Sequence, residues 1–288
     1  ICNYNDITFL PPIHASLLHL ELIDNFFLTT ISNFPSSLLY IYIISGVSNL
    51  TSLPPLPSGL LFLNCNGLGL QTLPPLPSTL TYLSCQNNPL YSLPALPLGL
   101  TDLLCSYDSL TNLPTLPTTL ITLSCGYNEL AALPSLPSML NFLSCENNQL
   151  TSLPALPSSL ESLNCSSNFI TTIPNLPPLL SVLQCDGNNL TSLPVLPPSL
   201  EILTCSDCPI TTLPNLPDTL YILNISNTPL TCLPPVKQIN SLTWSGTNLT
   251  CLPNFIEVQN AMPSIASLGL CQPSGNCPVN WNISGNVF

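Results

Sequence analysis

The chain has 288 residues, 45% of them hydrophobic and only 5% charged, so it can bury a substantial core. Its 13 acidic side chains face a single basic one, Lys237, for a formal charge of −12. That balance excludes nucleic acid, which is held by Lys and Arg on phosphates, and electrostatic adhesion to anionic lipid. Direct membrane insertion is not expected either, because Pro interrupts each apolar run well short of the ~20 residues a spanning helix needs.

The chain opens Ile1-Cys2-Asn3-Tyr4-Asn5-Asp6, with no basic leader, and already fits the repeat described below. It reads as a mature or trimmed piece of a longer polypeptide. Rungs headed by Leu17 and Leu38 follow, so residues 1–59 are expected to be irregular N-terminal repeats that cap the stack. His14 and His19 lie here, five residues apart and without a Cys, Ser or acid frame. They are read as cap histidines rather than an acid–base or metal site.

From Leu60 to Leu220 a rung begins at every twentieth residue, which defines residues 60–238 as regular 20-residue repeats. The frame is Leu-x-x-Leu-x-Cys-x-x-Asn-x-Leu-x-x-Leu-Pro-x-Leu-Pro-x-x, nearly undiluted over residues 140–159. A period this strict means one small unit stacked on itself. The alternation Phe142-Leu143-Ser144-Cys145-Glu146 predicts a short strand with Leu143 and Cys145 inward. Copies run the same way round the coil, so they pair in parallel. In the second half Pro removes amide donors and fixes φ, which predicts polyproline II held mainly by stacked Leu side chains. The expected fold class is a β-rich solenoid, with short parallel strands on the concave face and polyproline II or irregular segments on the convex face.

Cys65, Cys85, Cys105, Cys125, Cys145, Cys165, Cys185 and Cys205 fill the inward place of this frame, with Cys2 in the same place at the start. They are expected to be buried free thiols that pack as small apolar groups. A line of thiols offers no tetrahedral ligand set, so no metal is expected, and no cation lies near to stabilise thiolate. There is no Arg, no Gly-rich phosphate loop and no HExxH, so no cofactor is expected. Carboxylates such as Asp102, Glu146, Glu161, Asp186 and Glu201 are scattered rather than paired in a cleft. No catalytic residue is nominated, and the chain is not expected to be an enzyme.

The Leu220 rung is followed by a final one headed by Ile239, and residues 239–282 are expected to form the last repeat and a disulfide-stapled cap. Cys232 and Cys251 share one place in successive rungs, while Cys271 and Cys277 lie beyond them. Four Cys admit three pairings. The favoured one joins Cys232 to Cys251 and Cys271 to Cys277, closing the open end of the core in an oxidising compartment. Cys208 takes an Asn place and is read as another buried thiol. Residues 283–288 are read as a linker or the start of a following β-sandwich module.

The frame resembles that of leucine-rich repeats, and its Leu-Pro-x-Leu-Pro half is similar to the bacterial subclass of secreted effectors and Bacteroidetes surface proteins. The resemblance covers roughly residues 2–254. It implies that Asn5, Asn25, Asn88, Asn128, Asn148, Asn168 and Asn188 turn inward to satisfy backbone groups. Leu68, Asp108, Cys208, Thr228 and Thr247 depart from that pattern, and local adjustment is expected at Leu68. The closing Ile283-Ser284-Gly285-Asn286-Val287-Phe288 run resembles the opening strand of β-sandwich modules in such surface proteins. This implies a type 9-secreted, extracellular protein, with secretion machinery or other surface proteins among its partners. Asp108-Ser109-Leu110 and Asp218-Thr219-Leu220 resemble the Bacteroidetes O-glycosylation pattern, which makes Ser109 and Thr219 candidate acceptors.

Solenoids bind along their strand face, so the outward positions carry the expected site. Phe62, Tyr82, Asp102, Phe142, Val182, Ile202 and Ile222 are the candidates, in two patches: Phe62 with Tyr82, and Val182 with Ile202 and Ile222. Tyr107 and Tyr127 flank the middle on the adjoining turn. Amphipathic aromatics among small polar groups suit a protein or glycan ligand. The expected function is a non-enzymatic extracellular binding or adhesion module. One alternative is the substrate-recognition repeats of an effector, ubiquitin-ligase-like, whose catalytic domain is absent. A remote one is an ice-binding solenoid, from the row Thr151, Thr171, Thr191, Thr211, Thr231 and Thr250.

Overall fold

A computed structural model describes residues 8–25, 27–44, 50–235, 238–252, 257–262, 264 and 268–270. Cys2, Asn5, Lys237, Cys271, Cys277 and residues 283–288 lie outside that set. The chain divides into two compact units, Ile1–Phe169 and Ile170–Phe288, so the division falls within the regular repeats. Among the described residues there is no helix.

In the first unit, strands β1 (His19–Ile23), β2 (Tyr40–Ile44), β3 (Phe62–Asn64), β4 (Tyr82–Ser84), β5 (Asp102–Leu104), β6 (Thr122–Ser124), β7 (Phe142–Ser144) and β8 (Ser162–Asn164) pair in parallel, each with its sequence neighbour. Register follows the period: Tyr40, Phe62, Tyr82, Asp102, Thr122, Phe142 and Ser162 stand side by side. From β3 to β8 each strand has only three residues, although the Pro-initiated turn before it also precedes the five-residue β2, where Leu38 N donates to Pro35 O at 3.2 Å. Leu80 N donates to Pro77 O at 3.1 Å, and Leu100 N to Pro97 O at the same distance. Inward side chains such as Leu83, Cys85 and Leu90 are fully buried, and the same places are buried in every regular rung.

In the second unit, β9 (Val182–Gln184), β10 (Ile202–Thr204), β11 (Ile222–Asn224) and β12 (Gln238–Thr243) continue the same scheme. The sheet then runs one strand past the rung headed by Ile239. β14 (Glu257–Met262) pairs with β12, Ser241 opposite Asn260. On the Pro side, β13 (Cys251–Leu252) pairs with β15 (Gly269–Leu270) in a two-residue ladder, as narrow as the following Pro allows.

Where the frame has asparagine, its side chain holds the turn. Asn128 Oδ1 accepts from Leu110 N at 2.9 Å, while its Nδ2 donates to the carbonyls of Cys105, Cys125 and Gly126. Asn148 and Asn168 repeat the pattern. The departures substitute in part. Thr228 Oγ1 donates to Ile225 O at 2.7 Å, Thr247 Oγ1 to Trp244 O at 2.9 Å, and Cys208 Sγ to Cys185 O at 3.4 Å. Leu68 is buried between Gly67 and Gly69, both at positive φ (68° and 80°), so the backbone makes the local adjustment.

On the Pro side, hydroxyl hydrogen bonds add to the stacked Leu side chains. Thr119 Oγ1 donates to Leu98 O and Leu100 O, both at 2.8 Å, and so joins its rung to the preceding one. Thr79, Ser159, Ser199 and Thr219 do the same. These hydroxyls replace the amide donors that Pro removes.

Candidate binding face

Residues i and i+2 of a strand share a face, so each strand of the first unit offers two outward side chains beside those of its neighbours. Near the start of the chain these are aromatic. The Phe62 and Tyr82 rings stack at 4.1 Å with planes 5° apart, and Tyr42 stacks on the other side of Phe62 at 4.6 Å. His19 stacks on Tyr42 at 5.8 Å and on Tyr40 at 6.0 Å. Tyr40 reaches Phe62 in a tilted contact at 6.5 Å. The patch expected from Phe62 and Tyr82 is therefore the end of a longer run.

Sequence reasoning missed Tyr40, Tyr42 and His19. Their rungs lie outside the twenty-residue period, so reading columns at that step stopped at Phe62. Counting from each rung's own Leu would have found them, since His19 and Tyr40 stand two residues after Leu17 and Leu38.

Asp102 occupies the register place after Tyr82 and is half-buried. Thr101 Oγ1 donates to its Oδ2 at 2.7 Å. Burial pushes the Tyr82 phenol above its ordinary value, Tyr42 and Asp102 push the same way, and a hydrogen bond with Ser84 opposes them. Phe142 is exposed, two strands further along from Asp102, and makes no ring contact among those described. In the second unit Val182, Ile202 and Ile222 stand side by side on β9–β11, each half-buried. The neighbouring carboxylate of Asp186 is already engaged, accepting from Ser206 N at 2.8 Å, from Ser206 Oγ at 2.6 Å and from Thr204 Oγ1.

A second aromatic pair lies on the turns. Tyr107 and Tyr127 stack at 4.1 Å, and both sit at positive φ (61° and 54°). Other rungs place Asn87, Asn147, Gly67 or Gly187 there, residues that tolerate the left-handed region better. A Cβ on Gly126 would come within 2.6 Å of the Glu146 carboxylate, so the glycine makes room for that acid beside the pair. The hydrogen bond with Tyr127, then burial, then the charges of Tyr127 and Glu146, raise the Tyr107 phenol.

The eight thiols from Cys65 to Cys205, and Cys208, are buried and free. Burial pushes Cys65, Cys125 and Cys205 strongly up, which removes the thiolate that reactivity requires. Cys232 and Cys251 are not among the free thiols. Ser109 is half-buried, whereas Thr219 is exposed with its hydroxyl proton donated to the preceding rung. Among the described residues, no group of His, Cys, Asp and Glu converges to hold a metal ion, and no helix is long and apolar enough to cross a membrane.

No family model and no curated protein matches the chain. Solved structures do. Across 92% of this chain and 80% of the other, it is 33% identical to YopM, a leucine-rich effector protein of Yersinia pestis, with a TM-score of 0.79. The chain belongs to the leucine-rich repeat proteins. It is also similar to a leucine-rich repeat protein of Leptospira interrogans, at 25% identity over 81% of this chain and 67% of that one, with a TM-score of 0.63. The APL1 leucine-rich repeat domain shares the fold at 19% identity, covering 86% of this chain and 73% of that one, with a TM-score of 0.63. The solenoid of leucine-rich repeat proteins is typical of protein-binding modules, and here its outward sheet face carries the stacked rings.

Proposed function

We propose that this leucine-rich repeat protein is a non-enzymatic extracellular module that binds a protein or glycan through the outward face of β2–β5. The supporting observation is the run Tyr42–Phe62–Tyr82, three rings stacked at 4.6 and 4.1 Å on the solvent side of the sheet. Stacked rings offer rigid, amphipathic contact area at little cost in conformational entropy. Phe142, and the row Val182, Ile202 and Ile222 of the second unit, are secondary contact points in this reading. In this reading Cys232 pairs with Cys251 and Cys271 with Cys277 in an oxidising compartment, reached by type 9 export as in a Bacteroidetes surface protein. Ser109 is the better glycan acceptor, because a sugar on Thr219 would remove a donor that links two rungs.

The second reading is an effector whose repeats select a substrate for a catalytic domain elsewhere. Likeness to YopM, itself an effector, favours it. Thiol counting separates the two: all 14 Cys reacting after unfolding without reductant would defeat the extracellular reading. The face is tested on arrays of purified proteins and glycans, with Phe62→Ala and Tyr82→Ala beside the parent. Binding unchanged in both variants would sink it.

A further inference from the structure

The ring stack stops at Tyr82. Among the described residues no ring meets the side of Tyr82 that faces β5. There β5 presents Asp102 in the register place of the next ring and Leu104 in the place of Ser84, both half-buried. The next position thus has an aromatic wall, an aliphatic floor and a carboxylate. Among the described residues no cation answers that carboxylate. The sequence has a single basic side chain, Lys237, which lies outside the described residues, and the one ion pair described on this face joins His19 to Glu21 at 3.8 Å.

We propose that this step is a subsite for an arginine side chain of a protein partner, its guanidinium laid against Tyr82 and over Leu104 and paired with Asp102. This deepens the reading of the face as a binding surface and rests on it. The group that continues the stack must be flat, because successive rings already repeat at 4.1–4.6 Å. A cation answers Asp102 best, because the carboxylate holds the Thr101 hydroxyl but no counter-charge, and covering it would otherwise strip water from an uncompensated charge. Guanidinium satisfies both conditions: it is planar, weakly hydrated, stacks on aromatic faces and meets a carboxylate with two parallel N–H groups. Ammonium is compact and strongly hydrated, so it gains less from the ring. Charge favours such a partner at long range as well. A chain of net charge −12 draws basic proteins and repels acidic ones.

The test titrates the full chain with capped decapeptides carrying Arg, Lys or citrulline at alternate positions, followed by NMR. The Arg peptide is expected to bind at least about tenfold more tightly than the citrulline peptide and about threefold more tightly than the Lys peptide. Asp102→Asn and Tyr82→Leu should each cost about tenfold, with folding checked by thermal unfolding. Glu129→Gln removes the same charge from an exposed turn and should leave binding unchanged. Equal affinity for Arg and Lys, equal losses for Asp102→Asn and Glu129→Gln, or no peptide binding would overturn the subsite. So would an array ligand that is a neutral oligosaccharide and is indifferent to Asp102→Asn. In each of these cases the binding face itself still stands if Tyr82→Ala alters array binding. It falls with the subsite only if Phe62→Ala and Tyr82→Ala are silent too.

Discussion

Asp108 Oδ1 accepts the amide of Asn88 at 2.7 Å, in the place that Asn88 and Asn128 fill in the rungs to either side. Its Oδ2 stands where an asparagine would present its amide nitrogen, is buried, and finds no donor. The neighbouring asparagines show what surrounds such an atom: carbonyl oxygens, three of them around Asn128 Nδ2. A carboxylate there faces acceptors, whereas a carboxylic acid can donate.

Burial accordingly raises the Asp108 carboxyl from its ordinary 3.8 to about 8, against the opposing hydrogen bonds from Asn88 and Leu90. The folded chain keeps this proton between about pH 4 and pH 8, while the unfolded chain releases it. The stabilisation is therefore complete below about pH 4, declines as pH rises towards 8 and is gone above it. Asp108→Asn restores the amide donor. It should raise stability at pH 7 by about 1–3 kcal/mol and flatten this part of the pH profile. Denaturant midpoints from pH 4 to pH 9 read both effects, and parallel profiles for parent and variant would contradict the assignment.

Thr119 tests the hydroxyl stitching of the Pro side. Thr119→Val keeps shape and branching but removes the donor shared by Leu98 O and Leu100 O, and should cost about 1 kcal/mol. Thr119→Ser keeps the donor and should cost less. Equal losses would assign the effect to packing.

The regular rungs were legible because sequence period and strand register are the same quantity. Twenty residues separate Phe62 from Tyr82 in the chain, and the two stand opposite each other in the sheet. The Cys line was likewise readable as buried, since alternation alone turns it inward. Other features were hidden by the same reasoning. His19, Tyr40 and Tyr42 lie outside the period, and ring stacking depends on side-chain rotamers that no spacing encodes. The hydroxyls of Thr79, Thr119, Ser159, Ser199 and Thr219 were hidden because they precede only some of the rung-heading Leu residues, with Gly99, Met139 and Leu179 in the same place between them. The left-handed turn at Tyr107 and Tyr127 was hidden for a different reason, since tyrosine is a poor marker of positive φ.

The line of thiols should be inert. A polar thiol reagent applied to the native chain at pH 8 should leave Cys65–Cys205 unmodified, because each is buried and burial suppresses ionisation. The same reagent in denaturant should titrate them. Cys125→Ser places a hydroxyl in a fully buried site and should cost about 1–3 kcal/mol. Cys145→Ser should cost less, since the parent sulfur already reaches Asn164 O at 3.4 Å and the hydroxyl inherits an acceptor. Rapid labelling of the native chain would show that the core opens far more readily than its burial implies.

The Tyr107–Tyr127 pair inverts an ordinary preference. Alanine usually outperforms glycine by about 0.5–1 kcal/mol in regular structure, because glycine loses more backbone entropy on folding. Tyr127 sits at φ 54°, where any side chain beyond Cα meets the backbone and costs about 1–2 kcal/mol. Tyr127→Ala keeps that strain and removes a stack worth about 0.5–1.5 kcal/mol, so it should destabilise. Tyr127→Gly removes the stack and the strain together, and should be more stable than Tyr127→Ala by about 1 kcal/mol despite the more flexible unfolded chain. Thermal unfolding of the two variants side by side reads the difference. An alanine variant as stable as the glycine one would show that the turn relaxes once tyrosine is gone, and that the stack holds the left-handed backbone in place.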